Sequence, residues 1–268
     1  MDTTINDIEL RTQRAVRYIA PLREGGSLPG LMEADDGFRY VVKFRGAGHG
    51  TKALIAELIG GEVARALGLK VPELVFLHLD EDFGRTEADE EIQDLLRWSQ
   101  GLNLGLHYLN GTMTFDPYAN DIDPMEASMI VWLDTFLTNI DRTARNTNTL
   151  IWRNREIWLI DHGASLYFHH SWSDPEKAAL TPFPYIKDHV MLPKASMLEE
   201  AHARAIAMLT PEKLEAIVNL IPDDWLQWEG APGTPEELRE VYLKFLTTRL
   251  ANADIFITHA VDARNRLI

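Results

Sequence analysis

The chain has 268 residues, a formal net charge of −15, 46% hydrophobic residues and no cysteine. This hydrophobic content lets the chain bury a sizeable core as one domain. The lack of cysteine excludes disulfides, thiolate catalysis and cysteine-ligated zinc. So negative a charge opposes contact with nucleic-acid phosphates, and we expect no direct nucleic-acid binding.

The sequence also indicates where in the cell the protein is found. No apolar run has the length of a membrane span, and the first residues lack the basic and apolar pattern of a signal peptide. We therefore expect a cytoplasmic protein without membrane attachment. The oligomeric state is left open by the sequence.

The N-terminal third begins with two predicted strands around a glycine-rich loop. Residues 11–21 and 38–44 carry apolar alternation, and residues 23–30 between them are rich in turn formers. In several folds the backbone N–H groups of such a loop hold nucleotide phosphates. The candidate phosphate-contacting residues are Gly26, Ser27 and Gly30, although an ordinary flexible hairpin has the same composition.

A lysine and a glutamate follow the loop. Lys43 lies in an otherwise apolar strand, where its ammonium group needs a partner unless the strand is at an edge in water. A helix is predicted at residues 51–67, with small residues on the stripe that carries Glu57. This stripe allows a close approach to a sheet and points Glu57 towards Lys43. Gly60 and Gly61 each cost a helix about 1 kcal/mol, which indicates a packing requirement.

The next segments are acidic and then apolar. Residues 80–91 are strongly acidic and predict a solvated surface segment. Residues 103–109 predict a strand, and residues 124–138 predict a buried helix that leads directly into Asn139.

The motif from Asn139 to Gly163 carries the main chemical signal. Asp141 and Asn146 are five residues apart, and Asp161 follows Asp141 by twenty residues. Between them, residues 149–152 and 156–160 predict two short strands joined by a tight turn at residues 154–155. The hairpin brings an acid, an amide and a second acid together. Phosphoryl transfer uses one carboxylate to orient the attacking hydroxyl, and an amide and a carboxylate to hold magnesium.

A metal hydrolase is the competing interpretation of the histidine-rich region after Gly163. Its candidate ligands are His162, His169, His170, His189 and His202. Their spacing fits no standard zinc pattern. An irregular activation or substrate-binding segment at residues 164–193 is the other interpretation.

In order, the loop, Lys43, Glu57 and the motif around Asp141 resemble the protein-kinase-like fold in its atypical branch. Residues 139–146 resemble the catalytic loop of phosphatidylinositol kinases and of bacterial HipA-like serine/threonine kinases. Residues 56–73 resemble the helix and following strand of the HipA-like group, and residues 27–30 resemble the start of its phosphate loop. The chain departs from protein kinases at His162, where they have phenylalanine.

The resemblance implies an α+β, two-lobed kinase-like fold as a single domain of residues 1–268. Its N-terminal lobe, residues 1–109, would have a small antiparallel sheet and one helix, and residues 110–268 would form a mostly helical lobe. Asp141 would be the catalytic base, and Asn146 and Asp161 the magnesium ligands. Lys43 would bind phosphate, and Tyr108 and Leu109 would form the adenine-binding hinge.

We therefore expect a kinase that uses ATP and Mg²⁺ to phosphorylate a hydroxyl. A protein serine or threonine is the expected acceptor, by the resemblance alone, and no residue excludes a lipid or small-molecule acceptor. By the same resemblance, Ser27 is a candidate for autophosphorylation. The alternative function is a non-catalytic ATP-binding module that acts through a protein partner.

Overall fold

The computed structural model describes residues 8–22, 28–85, 87–153, 155–172 and 174–267. Two candidate phosphate-loop residues, Gly26 and Ser27, lie outside the described residues. So does Asn154 of the predicted turn. Within the described ranges the chain forms eight strands and eight α-helices, so the α+β class is confirmed.

Strands and helices alternate along the chain as far as β8, and only helices follow it. The strands are β1 (Thr12–Pro21), β2 (Gly30–Ala34), β3 (Arg39–Lys43), β4 (Leu74–Leu79), β5 (Gly101–His107), β6 (Met113–Thr114), β7 (Thr149–Trp152) and β8 (Glu156–Leu159). The helices are α1 (Gly50–Ala66), α2 (Glu90–Trp98), α3 (Pro124–Leu137), α4 (Pro175–Ala179), α5 (Leu198–Met208), α6 (Pro211–Asn219), α7 (Pro235–Ala251) and α8 (Asp254–Asn265).

The N-terminal strands form a closed sheet in the order β1-β2-β3-β5-β4. All neighbours are antiparallel except β1 and β4, which pair in parallel from Thr12 opposite Phe76 to Arg14 opposite His78. Register shifts in β1 let its later half pair with β2 instead. The expectation of a purely antiparallel sheet is therefore wrong at the pairing that closes it.

The expectation of one N-terminal helix is also wrong, because α2 lies in this region as well. The acidic segment, residues 80–91, ends in the first turn of α2. Asp89 caps α2 by accepting hydrogen bonds from the first-turn N–H groups, and Glu90 and Glu91 occupy that turn. Acids at a helix N-terminus are stabilised by the helix dipole. Ile92, Leu95 and Leu96 of α2 complete the small core inside the sheet.

The larger hydrophobic core joins α1 to the helical part of the chain. It contains the apolar face of α1, nearly all of α3 and the inner faces of α5 to α8. The second sheet, β6-β7-β8, lies after residue 110 and antiparallel pairs hold it together. The mostly helical second part is thus present, while a lobe boundary near residue 109 stays a prediction. No helix in the described ranges is long and apolar enough to cross a membrane.

Two glycines in α1 have the packing reason that the sequence indicated. A Cβ on Gly60 would lie 2.4 Å from the Cβ of His162, and one on Gly61 would lie 2.7 Å from Leu74 Cδ1. The absence of a Cβ at Gly60 lets α1 lie directly against the segment that carries Asp161 and His162, and its absence at Gly61 lets α1 lie against Leu74 of β4.

This close contact predicts a loss of stability in Gly60→Ala. Overpacking costs about 1–3 kcal/mol, against roughly 1 kcal/mol of improved helix propensity. We expect a net loss of about 1–2 kcal/mol in the free energy of unfolding, measured by urea denaturation. Gly48→Ala is the matched control, since a Cβ at Gly48 meets nothing within 4 Å. Equal stabilities of the two variants would show that α1 can move away from His162 at no cost.

Candidate active site

A cavity of about 1200 Å³ lies where β3, the segment after β5 and the motif around Asp141 meet. The residues that line it include Val41 and Lys43 from β3, His107 at the end of β5, Tyr108 and Leu109 after it, Leu150 of β7, Ile160 after β8, and Arg145, Asn146 and Asp161 from the motif. Five of the candidate residues therefore lie around one space: Lys43, Tyr108, Leu109, Asn146 and Asp161.

Lys43 is held by two carboxylates. Its Nζ donates a hydrogen bond to Asp161 Oδ1 at 2.7 Å and lies 3.9 Å from Glu57 Oε2. Burial alone would lower the pKa of Lys43, but the attraction of Glu57 and Asp161 outweighs it and the pKa is raised. Lys43 therefore stays charged at neutral pH. Its direct partner is Asp161, and Glu57 is at the limit of ion-pair distance.

Glu57 is almost fully buried in α1. Burial raises the pKa of its carboxyl, whereas Lys43 and then His162 lower it, and the net direction is downward. The ring of His162 lies behind it, with Nδ1 3.8 Å from Glu57 Oε1, beyond hydrogen-bond distance. Neither Glu57 oxygen has a hydrogen-bond partner among the described residues. A buried carboxylate without hydrogen-bond partners needs the charge of Lys43 to stay ionised.

The backbone of Asp161 is in the left-handed region, with φ of +57°. This region is uncommon for residues other than glycine, although aspartate is among those that adopt it more readily. Gly163 follows, and a Cβ there would lie 3.6 Å from Ala53 O in α1. The turn thereby presents the Asp161 carboxylate to Lys43 and to the cavity.

Asp141 is oriented by two amides. Asn146 Nδ2 donates to Asp141 Oδ2 at 2.7 Å, and Asn148 Nδ2 donates to the same oxygen at 3.2 Å. Half-burial of Asp141 raises the pKa of its carboxyl, the two amides lower it, and Asp161 raises it; the net direction is upward. The arrangement holds a carboxylate with one oxygen, Oδ1, left for another donor.

The loop that carries Asp141 is anchored on Asp134 of α3. Arg142 donates to both oxygens of Asp134, and His189 Nε2 lies 2.8 Å from Oδ2. Met191 N donates to His189 Nδ1 at 3.1 Å, which puts the ring proton on Nε2 and makes it the donor to Asp134. Asn139 Nδ2 donates to Asp134 Oδ1 at 3.0 Å. Burial raises the pKa of Asp134, but the attraction of Arg142 and His189 exceeds this effect. The pKa of Asp134 therefore lies well below its usual range.

The buried side chain of Arg142 has a structural role. In the sequence Arg142 is clustered with Arg145, Arg153 and Arg155, and beside a nucleotide site this pattern predicts contacts with phosphates or with a phosphorylated activation segment. That interpretation is wrong for Arg142, since its side chain is buried and its other donors reach the carbonyls of Asn148 and Ile160. The sequence did contain one signal for this anchor. Asp134 is an acid in an apolar, buried helix, and such an acid requires a buried cationic partner.

Two further candidates, Tyr108 and Leu109, also line the cavity. Tyr108 N donates to Arg39 O at 2.8 Å, while no described residue accepts a hydrogen bond from Leu109 N–H. Gly30, in contrast, is not part of the cavity wall. It begins β2, and a Cβ there would meet Tyr18 and Phe44 side chains within 3 Å.

The candidate histidines of the metal-hydrolase interpretation have separate surroundings, except that the ring centroids of His169 and His170 are 4.6 Å apart. His162 lies beside Glu57, His169 beside Tyr242, His170 beside His49, His189 beside Asp134, and His202 between Trp132 and Asp254. In the described part of the chain, no group of three or more His, Asp or Glu residues is placed to hold a metal ion.

The buried anchor predicts a large effect of Asp134→Asn. Removal of one member of a buried ion pair leaves the other charge uncompensated, and we expect a loss of about 3–5 kcal/mol in the free energy of unfolding. Because the folded-state pKa of Asp134 is depressed, its contribution is present above pH 4 and is lost as the pH falls further. Denaturation curves from pH 7 to pH 2 should thus converge for wild type and variant at the acid end. Exposed Asp188→Asn should change little, and a similar loss in that control would contradict the anchoring role.

Comparisons with known proteins identify the family of the chain. The family model described as HipA-like kinase matches residues 15–254. Comparison with curated proteins gave no match. Solved structures do match, among them the crystal structure of CtkA, a proinflammatory kinase of Helicobacter pylori. That structure is 14% identical, covers 97% of this chain and 99% of its own, and has a TM-score of 0.59, which shows the shared fold. The chain belongs to the HipA-like kinase family and is a phosphotransferase.

Proposed function

We propose that the protein transfers the γ-phosphoryl group of ATP, with Mg²⁺, to a hydroxyl group, most specifically of a protein serine or threonine. One observation carries this proposal. Lys43, Asp161 and Asn146 line the same cavity, and Asn146 is hydrogen-bonded to the carboxylate of Asp141. A site of this composition binds a polyphosphate with its cation and positions an acceptor beside it.

The cavity walls fit a nucleotide. Its volume of about 1200 Å³ is at least that of typical small-molecule sites, roughly 300–1,000 Å³. Val41, Leu150 and Ile160 provide apolar surfaces for a purine ring. The N–H of Leu109 is the hinge donor, because Tyr108 N–H is already bonded to Arg39 O. Lys43 is the cation for the phosphate groups.

The donor set also fits Mg²⁺. This ion takes one or two carboxylates, further oxygen ligands and substrate phosphates. Asp161 uses Oδ1 for Lys43, which leaves Oδ2, and Asn146 uses its amide nitrogen for Asp141, which leaves its oxygen. The bound ion supplies positive charge next to the phosphate oxygens.

Asp141 is the group that acts on the acceptor. Its carboxylate accepts the hydrogen of the attacking hydroxyl while the hydroxyl oxygen bonds to the γ-phosphorus. The bond between that phosphorus and the bridging oxygen of ADP breaks, and ADP leaves with the electron pair. Asn146 and Asn148 hold the carboxylate in place through Oδ2, so that Oδ1 can accept the proton.

The family resemblance supports a protein acceptor. Arg145 and the exposed Tyr118 lie at the rim of the cavity and offer a cation and a ring for a polypeptide substrate. Autophosphorylation at Ser27 is part of the proposal by the same resemblance.

The test is incubation with γ-labelled ATP and Mg²⁺, together with calorimetry of Mg-ATP binding. We expect Asp141→Ala to reduce transfer by roughly 10²–10⁴-fold with nucleotide affinity nearly unchanged. Asp161→Asn should weaken Mg-ATP binding as well, because it removes a cation ligand. Asp188→Asn, exposed and away from the cavity, is the control. Wild-type protein that neither binds Mg-ATP nor transfers label would overturn the proposal.

Autophosphorylation is read from the same samples by peptide mapping. We expect label on Ser27 and its loss in Ser27→Ala. Label only on other residues would refute Ser27 as the acceptor and leave kinase activity standing.

A further inference from the structure

The segment between α6 and α7, residues 221–226, contacts the closed sheet. Trp225 in this segment is fully buried, and its Nε1 donates a hydrogen bond to the carbonyl oxygen of Leu102 in β5 at 2.9 Å. Its ring meets the ring of Phe76 in β4 edge to face, with the centroids 5.6 Å apart. We call residues 221–226 the bridging segment, because they join the helical part of the chain to two strands of the sheet.

A second contact joins the bridging segment to the residues directly after β3. The guanidinium of Arg45 donates a hydrogen bond to Asp224 and forms an ion pair with it. A Cβ on Gly101, where φ is +90°, would lie 2.9 Å from Arg45 Nη1, so glycine at this position leaves the space that the guanidinium fills. The backbone N–H of Arg45 donates to Asn103 Oδ1 at 2.9 Å, which ties the same residue to β5.

The register of the sheet relates these contacts to Lys43. Lys43 is opposite Leu104 of β5, and Leu104 is opposite Phe76 of β4. Residues directly opposite each other in antiparallel strands have their side chains on the same face of the sheet. Trp225 therefore packs against the row of three residues that contains Lys43, and Arg45 follows Lys43 by two residues.

The helix that carries Glu57 is enclosed by the same contacts. α1 packs against β5 on one side and against α6 and the bridging segment on the other. Its apolar side chains, those of α6 and Trp225 belong to one hydrophobic core. The bridging segment thus contacts both the strand row of Lys43 and the helix of Glu57.

The bridging segment is itself fixed to α7. Arg239 of α7 donates to the carbonyl oxygen of Ile221 through Nη2 at 2.6 Å and through Nε at 3.2 Å, and it forms an ion pair with Asp223. A continuous set of hydrogen bonds and ring contacts therefore runs from α7 through Trp225 to β4 and β5.

We propose that Trp225 is a positioning residue of the phosphotransferase. Its two contacts with the sheet fix the row that contains Lys43 against the helical part of the chain. They thereby fix the Lys43 ammonium relative to Asp161, its hydrogen-bond partner at 2.7 Å. The inference rests on the proposed function, in which Lys43 is the cation for the phosphate groups of ATP.

Trp225 acts at the end of β5 that is far from the hinge. Leu102 is near the start of β5, whereas Tyr108 and Leu109 follow its end. Five residues of extended strand separate Leu102 from His107, about 16 Å. A loosened contact at Trp225 therefore affects the binding of phosphate groups and spares the binding of the adenine ring.

The test is titration calorimetry of the full chain with Mg-ATP and, separately, with adenosine. Trp225→Phe keeps a ring against Phe76 and removes the hydrogen bond to Leu102. A group that is misplaced by about 1 Å can cost an enzyme roughly 10²-fold, and we expect a smaller shift of Lys43 to weaken Mg-ATP binding about tenfold. Adenosine, which has no phosphate, should bind to Trp225→Phe as it does to wild type.

Two further variants complete the comparison. Tyr242→Phe is the matched control, because it also removes one hydrogen bond of a buried ring, the 3.0 Å bond to His169, and both affinities should stay at the wild-type level. Asp224→Asn changes an exposed side chain and so leaves folding intact. We expect it to weaken Mg-ATP binding about twofold to fivefold, since ion pairs of this exposure are weak. Circular dichroism melting curves check that all variants are folded.

Hydrogen exchange provides a readout that needs no ligand. Backbone amides exchange through local opening, so a loosened sheet exchanges faster. We expect residues 39–46 and 101–104 to exchange faster in Trp225→Phe than in Tyr242→Phe, measured by mass spectrometry.

The outcomes separate positioning from stability. Weaker Mg-ATP binding with unchanged adenosine binding in Trp225→Phe, and neither change in Tyr242→Phe, would support the positioning role. Equal weakening of both ligands, or a lower melting temperature with both affinities unchanged, would show that Trp225 only stabilises the fold and would overturn the proposal. Equal exchange in the two variants would overturn it as well.

The same data distinguish this inference from the proposed function. Wild-type protein that binds no Mg-ATP would overturn both. Wild-type protein that binds Mg-ATP, with the same affinity in Trp225→Phe, would overturn the positioning role alone and leave the proposed function standing.

Discussion

The buried carboxylate of Asp134 is the interaction on which the rest of the site depends. It lies in α3, which is packed on all sides by the larger core, and it binds Arg142, His189 and Asn139. A carboxylate placed in such a core is unfavourable unless it is paired and hydrogen-bonded. Here it has both kinds of partner, and they come from two parts of the chain, the loop directly after α3 and the segment that carries His189. The loop of Asp141 and the segment of His189 are therefore tied to one rigid helix.

A second constraint is the charge balance around Lys43. The lysine is buried between Glu57 and Asp161, and its raised pKa shows that the two acids more than offset the cost of burial. Glu57 acts on Lys43 through its charge alone, because neither of its oxygens has a hydrogen-bond partner among the described residues. Glycine at position 60 makes it possible, since α1 could not otherwise approach the turn that carries Asp161 and His162. Small residues and charges thus act together at this contact.

Much of the local structure could be predicted from the sequence. β1, β3, α1, α3, β7 and β8 have clear apolar periodicity. Of the residues chosen by spacing, Lys43, Asn146 and Asp161 line one cavity, and Asp141 is hydrogen-bonded to Asn146. The parallel closure of β1 on β4 could not be predicted, because pairing between distant strands leaves no mark in either strand's own pattern. Arg142 was misread for a related reason. A charge in a loop indicates solvent, and only the three-dimensional neighbourhood shows that its partner is buried in α3.

The residues that form the site are far apart along the chain. Lys43 and Asp161 are 118 residues apart in sequence, and the bond from Trp225 Nε1 to the carbonyl of Leu102 spans 123 residues. During synthesis the chain grows from its N-terminus, so the closed sheet can form while Lys43 and Glu57 still lack the third member of their charge cluster. A nascent chain that ends before Asp161 would bury two of the three charges or leave α1 undocked. The charge cluster around Lys43 is therefore completed only after the chain has been made beyond Asp161, and the bond from Trp225 to Leu102 forms later still.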